Sequence, residues 1–119
     1  MFDFEKLEVY QKAKALNKEV LKFLRENRLL DNYLRDQLKR ASISILINIA
    51  EGSGRFSKAD KRNFYTISRG SVYECVSLLE IIHDENCIEK TKFDHFINDY
   101  EEISKMLLGL IRSQNNDKS

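Results

Sequence analysis

The sequence has no proline and only four glycines among its 119 residues. Turns and long loops depend on these two residue types, so their scarcity indicates short connections between long helices. No apolar run approaches the roughly 18 residues of a membrane-crossing helix, and the mixed, acidic start of the chain does not resemble a signal peptide. Because Cys75 and Cys87 are too few for a disulfide framework, we expect a protein of the reducing cytoplasm.

Charge is nearly balanced over the whole chain. The 20 basic and 19 acidic residues almost cancel, which is unlike a dedicated, strongly basic nucleic-acid-binding protein. The local balance is uneven, because residues 28–63 contain eight basic and four acidic residues, whereas residues 64–87 contain one and four. The middle of the chain therefore carries a weak positive footprint.

Apolar residues recur every three or four positions in four segments, which predicts four amphipathic helices. The helices lie within one domain, residues 1–119, and are expected to cover residues about 4–26, 33–52, 58–85 and 92–113. Ser57 and Thr91 are the expected N-caps of the third and fourth helices. Gly52 and Gly54 suit the C-terminus of the second helix. Long helices with short links favour an all-α, up-down antiparallel four-helix bundle.

The same spacing predicts which residues of the third helix face inward. That face is expected to carry Phe64, Ile67, Ser71, Cys75, Leu78 and Ile82. The polar end of the chain, Ser113–Ser119, is expected to be a frayed tail.

The second helix is apolar nearly all round over residues 43–50, ISILINIA. A β-strand is the alternative for such a β-branched run, but the run continues the helical register of Leu38, Ala41 and Ile45. A surface helix of a monomer has one apolar stripe and one charged face, so we expect this helix to bury a second face against another subunit. The expected oligomer-interface residues are Ile43, Leu46, Ile47 and Ala50.

Candidates for catalysis or metal binding are incomplete. Glu80 and His83 have the Glu-x-x-His spacing of di-iron bundles, but His95 is preceded by lysine at the matching position, so no second copy exists. His83 and Cys87 alone do not make a closed zinc site, and Cys75 on an apolar face is expected to be a core residue. We therefore predict no catalytic residue, no metal and no cofactor, and a protein that is not an enzyme.

Polar residues also follow a helical spacing in the second and third helices. One interpretation is a solvated face; the other is a buried polar seam that fixes the register of the helices or the packing of subunits. The seam would consist of Ser44, Asn48, Glu51, Ser71 and Glu74.

Residues 38–52, LKRASISILINIAEG, resemble the signature of the four-helix-bundle family of 23S rRNA intervening sequence proteins, also called the S23 ribosomal protein family. A second matching block runs from Gly54 to Glu74 and an N-terminal block from Phe4 to Ala13, so the resemblance covers about residues 4–111. Nearly the whole chain is therefore similar to this family.

The resemblance implies an up-down bundle that assembles into a ring-shaped homopentamer. It also implies kinship with the accessory variability determinant of diversity-generating retroelements, a similar basic pentameric barrel that binds nucleic acid and a reverse transcriptase. The family name records where some of the genes lie, within insertions in 23S rRNA genes, and not an activity. Two positions depart from the family pattern: Tyr10 replaces a tryptophan, and Leu46 stands where proline is common, so a kink is not expected there.

Two hypotheses of function follow. The first is a nucleic-acid-binding, RNA-associated accessory protein, with phosphate contacts from Arg35, Lys39, Arg40, Arg55, Lys58, Lys61, Arg62 and Arg69. The second is an oligomeric scaffold that binds another protein and no nucleic acid. As an alternative to phosphate contacts, Arg40 and Arg69 would pair with Glu51 or Glu74 in the polar seam.

Overall fold

The computed structural model describes residues 1–115, and within that range the chain forms four α-helices and no strand. The helices are α1 (Glu8–Glu26), α2 (Asn32–Ser53), α3 (Lys58–Asp84) and α4 (Lys90–Asn115), preceded by a short 3-10 helix, Asp3–Lys6. Their connections are residues 27–31, 54–57 and 85–89. No helix in this part of the chain is both long and apolar enough to cross a membrane.

The helix boundaries differ from the sequence-based prediction at both ends of the chain. The first helix does not begin at residue 4, because Leu7 is extended (φ −72°, ψ 129°) and separates the 3-10 helix from α1. This break lets the Phe4 ring pack edge-on against Tyr10, with centroids 4.8 Å apart. The fourth helix already begins at Lys90, so Thr91 lies in its first turn and the prediction of an N-cap there was wrong. Of the expected tail, residues 113–115 are helical and residues 116–119 lie outside the described range.

Side-chain caps fix two of the helix starts. Ser57 Oγ accepts a hydrogen bond from the Asp60 backbone at 3.0 Å at the start of α3. Asp31 Oδ1 accepts from the backbone of Tyr33 and Leu34 at 2.8 and 3.2 Å at the start of α2. Both contacts satisfy backbone donors that have no partner within the helix.

The helices form an up-down four-helix bundle of 53 × 24 × 21 Å. Each helix packs against its neighbours in sequence, and α1 also packs against α4. The packing of α2 on α3 is antiparallel, because Arg40 meets Glu74 whereas the later Ser44 meets the earlier Ser71. The same reversal of order relates α1 and α4.

The core lies between all four helices. The side chains with almost no exposure include Leu16 on α1, Ile49 on α2, and Phe96 and Tyr100 on α4. Phe23 meets Phe96 edge-to-face, with ring centroids 6.0 Å apart. Since burial of one such side chain contributes about 1.5–3 kcal/mol, this shared core holds the bundle together.

The inward face of α3 is rotated from the predicted one in its first half. Tyr65 and Ser68 are buried there, whereas Phe64 is half-buried and Ile67 is exposed, so the prediction that Ile67 faces the core was wrong. The reason lies in α2, where Gly52 has no side chain and the Tyr65 ring fills its place. A Cβ at residue 52 would lie 2.8 Å from Tyr65 Cε1.

We predict that Gly52→Ala destabilises the protein by about 1–3 kcal/mol, because the new methyl group overlaps the Tyr65 ring. The matched control is Gly109→Ala in α4, where a Cβ meets no atom within 4 Å and alanine favours the helix by about 1 kcal/mol. Urea unfolding of both variants measures the two effects. Equal stabilisation by the two alanines would contradict the close packing of Gly52 on Tyr65.

Candidate interaction surface

A hydrogen-bonded network joins α2 to α3 near the middle of the bundle. The Ser44 and Ser71 hydroxyls lie 2.9 Å apart, and Asn48 Nδ2 donates to the Ser44 carbonyl at 2.9 Å and to its hydroxyl at 3.0 Å. Both hydroxyls and the amide nitrogen thus have the partners that groups removed from water require. The structure therefore brings together three of the five residues of the expected polar seam.

The other two residues of that seam have different surroundings. Glu74 accepts a hydrogen bond from Arg40 Nη2 at 2.5 Å, across the same interface. Glu51 instead accepts from Arg55 Nη2 at 3.0 Å, one turn later at the end of α2, and is exposed. Glu51 therefore lies apart from the network that contains Ser44.

Ser68 also ties α2 to α3, although the sequence pattern does not single it out. Its side chain is fully buried, and its hydroxyl donates to the Ile45 carbonyl at 2.8 Å. A serine within the apolar register of α3 is the sequence signal for such a contact. With Ser68 inside, the adjacent Ile67 must face outward.

Exposed apolar side chains lie on the outside of this helix pair. On α2, Tyr33 and Ile47 are 67% and 53% exposed; on α3, Ile67 and Ile81 are 44% and 46% exposed. On each helix the two apolar residues are fourteen positions apart, and a charged residue, Arg40 on α2 or Glu74 on α3, lies midway between them. Residues seven apart lie on the same side of a helix. We call this surface the outward face, and it consists of Tyr33, Arg40 and Ile47 of α2 with Ile67, Glu74 and Ile81 of α3.

The antiparallel register aligns the two rows of the outward face. Because Arg40 contacts Glu74 at the centre, Ile47 lies level with Ile67, and Tyr33 lies level with Ile81. The charged pair is therefore flanked by apolar side chains on both sides along the bundle.

The four residues expected at an oligomer interface differ in their exposure and in the side of α2 on which they lie. Ile47 belongs to the outward face, and Ile43 and Ala50 are half-buried. Leu46 instead packs against the core cluster, so its side chain does not face outward. α2 runs unbroken through this position.

Two of the eight cations expected to contact phosphate cap the ends of helices. The Arg35 guanidinium donates to the carbonyls of Leu24 and Asn27 at the end of α1. Lys61 Nζ donates to the Ser53 carbonyl at 3.0 Å at the end of α2. Both side chains satisfy carbonyls that have no partner within their own helix.

Three more of these cations have partners elsewhere in the same chain. Arg40 pairs with Glu74, as described, and Arg55 pairs with Glu51 while lying 4.5 Å from the centroid of the Phe64 ring. Arg69 Nε donates to the Ser104 carbonyl at 3.3 Å, and its Nη2 donates to the Tyr73 hydroxyl at 3.0 Å. Arg69 therefore contacts neither Glu51 nor Glu74.

The remaining three cations lie on α2 and α3. Lys39 is exposed on α2, and Arg62 is half-buried on α3; neither side chain forms an ion pair with a residue between 1 and 115. Lys58 is exposed in the first turn of α3. The expected phosphate-binding set thus does not form one continuous patch of available charge.

A basic row lies instead on the exposed side of α1. Lys14, Lys18, Lys22 and Arg25 are spaced by four, four and three residues, and all four are exposed. Within residues 1–115 none of them forms an ion pair. Lys39 of α2 lines the same shallow cavity as Arg25 and so extends the row. The spacing of these lysines was the available sequence signal.

The sequence candidates for chemistry are separated or buried. Burial raises the pKa of the Cys75 thiol to about 12, so it is fully protonated near neutral pH. The His83 ring stacks on Phe93, with centroids 4.3 Å apart, while Glu80 is exposed. These residues do not form the nucleophile–base pair or the carboxylate–histidine cluster that their chemistry requires.

Residues 5–109 match the family model described as 23S rRNA-intervening sequence protein. Among solved structures, the chain is similar to a protein of unknown function from the S23 ribosomal protein family of Bacteroides thetaiotaomicron VPI-5482. The two are 26% identical, the TM-score is 0.81, and the similarity covers 87% of this chain and 95% of the other. No curated protein matches the sequence.

We predict that Arg35→Ala lowers the free energy of unfolding by about 1.5–3 kcal/mol, because it removes charge-assisted hydrogen bonds at the end of α1. Lys39→Ala, one turn later on the same helix, should change it by less than about 0.5 kcal/mol. Urea unfolding distinguishes the two. If both variants are as stable as the parent, Arg35 does not cap α1.

Proposed function

The chain belongs to the family of 23S rRNA-intervening sequence proteins, and we propose that it is a non-enzymatic accessory protein that acts as a homo-oligomer assembled through the outward face of α2 and α3. The observation that carries this proposal is the row of large apolar side chains exposed on that face. Exposed apolar groups clustered on one surface are typical of an interface between subunits.

The composition of the outward face supports self-association over contact with an unrelated protein. Arg40 and Glu74 carry opposite charges at its centre, so a second copy can present the complementary charge to each. The flanking apolar side chains, Ile47 and Ile67 at one end and Tyr33 and Ile81 at the other, supply area that becomes buried. The resemblance to ring-forming relatives favours five copies, in which the α2 row of one subunit meets the α3 row of the next.

The absence of enzymatic activity is part of this proposal. The thiol of Cys75 is buried and protonated, and His83 is stacked on an aromatic ring. Neither side chain is placed for nucleophilic or acid–base catalysis. We infer further that the protein acts in the reducing cytoplasm, where both cysteines stay as thiols.

A second candidate function is nucleic-acid binding, and the basic row of α1 is the observation that favours it. The row spans 12 residues, from Lys14 to Arg25, whose Cα atoms lie about 16 Å apart along the helix axis. Assembly into a ring would repeat it in every subunit, and repeated weak phosphate contacts add up through avidity. The near-neutral total charge is compatible with this, because none of the four cations of the row forms an ion pair within residues 1–115.

We predict that the parent protein elutes as a multiple of its 14.0 kDa chain mass in size-exclusion chromatography with light scattering. Ile47→Glu combined with Ile67→Glu should give a monomer, because the oligomer would have to bury the two new charges in its interface. The helical circular dichroism should stay unchanged, because both side chains are exposed in the single chain. The matched control is Leu29→Glu, since Leu29 is 99% exposed but lies in the connection between α1 and α2. A parent protein that is monomeric at micromolar concentration would contradict the proposal.

We predict that binding to a structured RNA and to a DNA duplex, if carried by the basic row, weakens roughly 100-fold when salt rises from about 50 to about 200 mM, as expected for about four phosphate contacts. Lys14→Glu with Lys18→Glu should abolish binding and leave the oligomer intact. Lys105→Glu on α4 is the control, because Lys105 is exposed but pairs with Glu101.

Two results would argue against this second function. Binding that is absent at low salt, or that has no salt dependence, excludes it altogether. Loss of binding in Arg55→Glu with Lys58→Glu, but not in Lys14→Glu with Lys18→Glu, would place the nucleic acid on the α2–α3 connection instead.

A further inference from the structure

We propose that Glu19, His95 and Asp99 form a binding site for one divalent transition-metal ion of the Zn²⁺ type, on the surface where α1 meets α4. The three residues are the group of potential metal ligands that the described part of the chain brings together. The site is independent of the outward face, which lies on α2 and α3.

The backbone places these side chains around a common point. His95 and Asp99 lie one turn apart on α4 and therefore on the same side of it, and Glu19 faces them from α1. His95 Nε2 is 3.3 Å from each carboxylate oxygen of Glu19 and 3.6 Å from Asp99 Oδ2. One ligand atom from each residue lies within 4.8 Å of the other two.

These separations fit a metal ion between the ligands. Zinc–nitrogen and zinc–oxygen bonds are about 2.0–2.2 Å, so two ligands of a tetrahedral zinc ion lie about 3.4 Å apart. The distances from His95 Nε2 to Glu19 and to Asp99 are close to this value. Small rotations of exposed side chains would complete the three-ligand set.

The donor set selects the class of metal. One imidazole nitrogen with two carboxylate oxygens suits zinc and its neighbours in the first transition row, whereas magnesium and calcium prefer oxygen ligands alone. Glu19 and His95 are about half exposed, so water can occupy the remaining coordination positions. Two carboxylates also neutralise the charge of a divalent ion.

Lys12 is the nearest competitor for these carboxylates. Its Nζ lies 3.6 Å from Asp99 Oδ1 and 3.2 Å from Glu102 Oε2. Lys12 therefore engages the Asp99 oxygen that does not face His95, and it leaves Oδ2 available to the ion. The arrangement holds the Asp99 carboxylate in a fixed orientation, as outer contacts do in other metal sites.

The site joins α1 to α4, so metal binding there should affect the stability of the bundle. Glu19 and His95 are 76 residues apart in sequence, and no loop connects α1 to α4. An ion between them would link the first helix of the bundle to the last. Because the ion binds only the folded arrangement, it should raise the unfolding temperature.

The experiment titrates the full chain with Zn²⁺ in a calorimeter and repeats thermal unfolding with and without the metal. The expected result is one ion per chain and a higher unfolding temperature, with no comparable effect of Mg²⁺. His95→Gln and Asp99→Asn should each lose the binding and the temperature shift while remaining folded, because both side chains lie at the surface. His83→Gln and Cys87→Ser should keep both.

Three outcomes would overturn the proposal. In one, Zn²⁺ neither binds the parent chain nor shifts its unfolding temperature, so the three residues form only an ion cluster. In another, binding survives both His95→Gln and Asp99→Asn. In the third, binding is lost in Cys87→Ser, which places the ion at a thiol. None of these outcomes bears on self-association through α2 and α3.

Discussion

The close approach of Gly52 to the Tyr65 ring sets how α3 is rotated about its axis, and the character of the molecular surface depends on that rotation. With the ring in place of a side chain at residue 52, Ser68 turns inward and donates to the Ile45 carbonyl. Ile67, one residue earlier, must then face water, since adjacent helical residues lie about 100° apart. An interior contact between two helices thereby produces an apolar exterior.

The ends of the helices engage two of the eight basic residues that the sequence concentrates in its middle. The last carbonyls of a helix have no amide partner, and Arg35 and Lys61 supply donors to those of α1 and α2. The side chains of Arg35 and Lys61 are engaged by these carbonyls and are not available to a ligand. Charge left for an external partner includes Lys14, Lys18 and Lys22 of α1, which are exposed and form no ion pair within residues 1–115.

The sequence predicts the helices better than their rotation, for physical reasons. The four helices follow from local spacing of apolar residues. The second buried face expected from the long apolar run of α2 stays a prediction. The inward face of α3 cannot be predicted from the sequence of α3 alone. The residues at helical spacing that begin at Phe64 and those that begin at Tyr65 are both consistent with a buried face, and Gly52 in α2 decides between them. The role of Arg35 is hidden for the same reason, since its acceptors are backbone carbonyls at the end of α1.

In the proposed assembly the outward face, the basic row of α1 and the Glu19–His95–Asp99 site have separate roles. The outward face lies on α2 and α3, whereas the other two lie on α1 and α4. Burying the α2–α3 face between subunits leaves α1 and α4 on the outside, since α1 packs only on α2 and α4 among the helices. The basic row of α1 would then repeat around the exterior. The Glu19–His95 contact would lie beside it, where an ion could hold α1 firmly against α4. Self-association and the binding of an anionic partner would therefore not compete for the same residues, and one small bundle could do both.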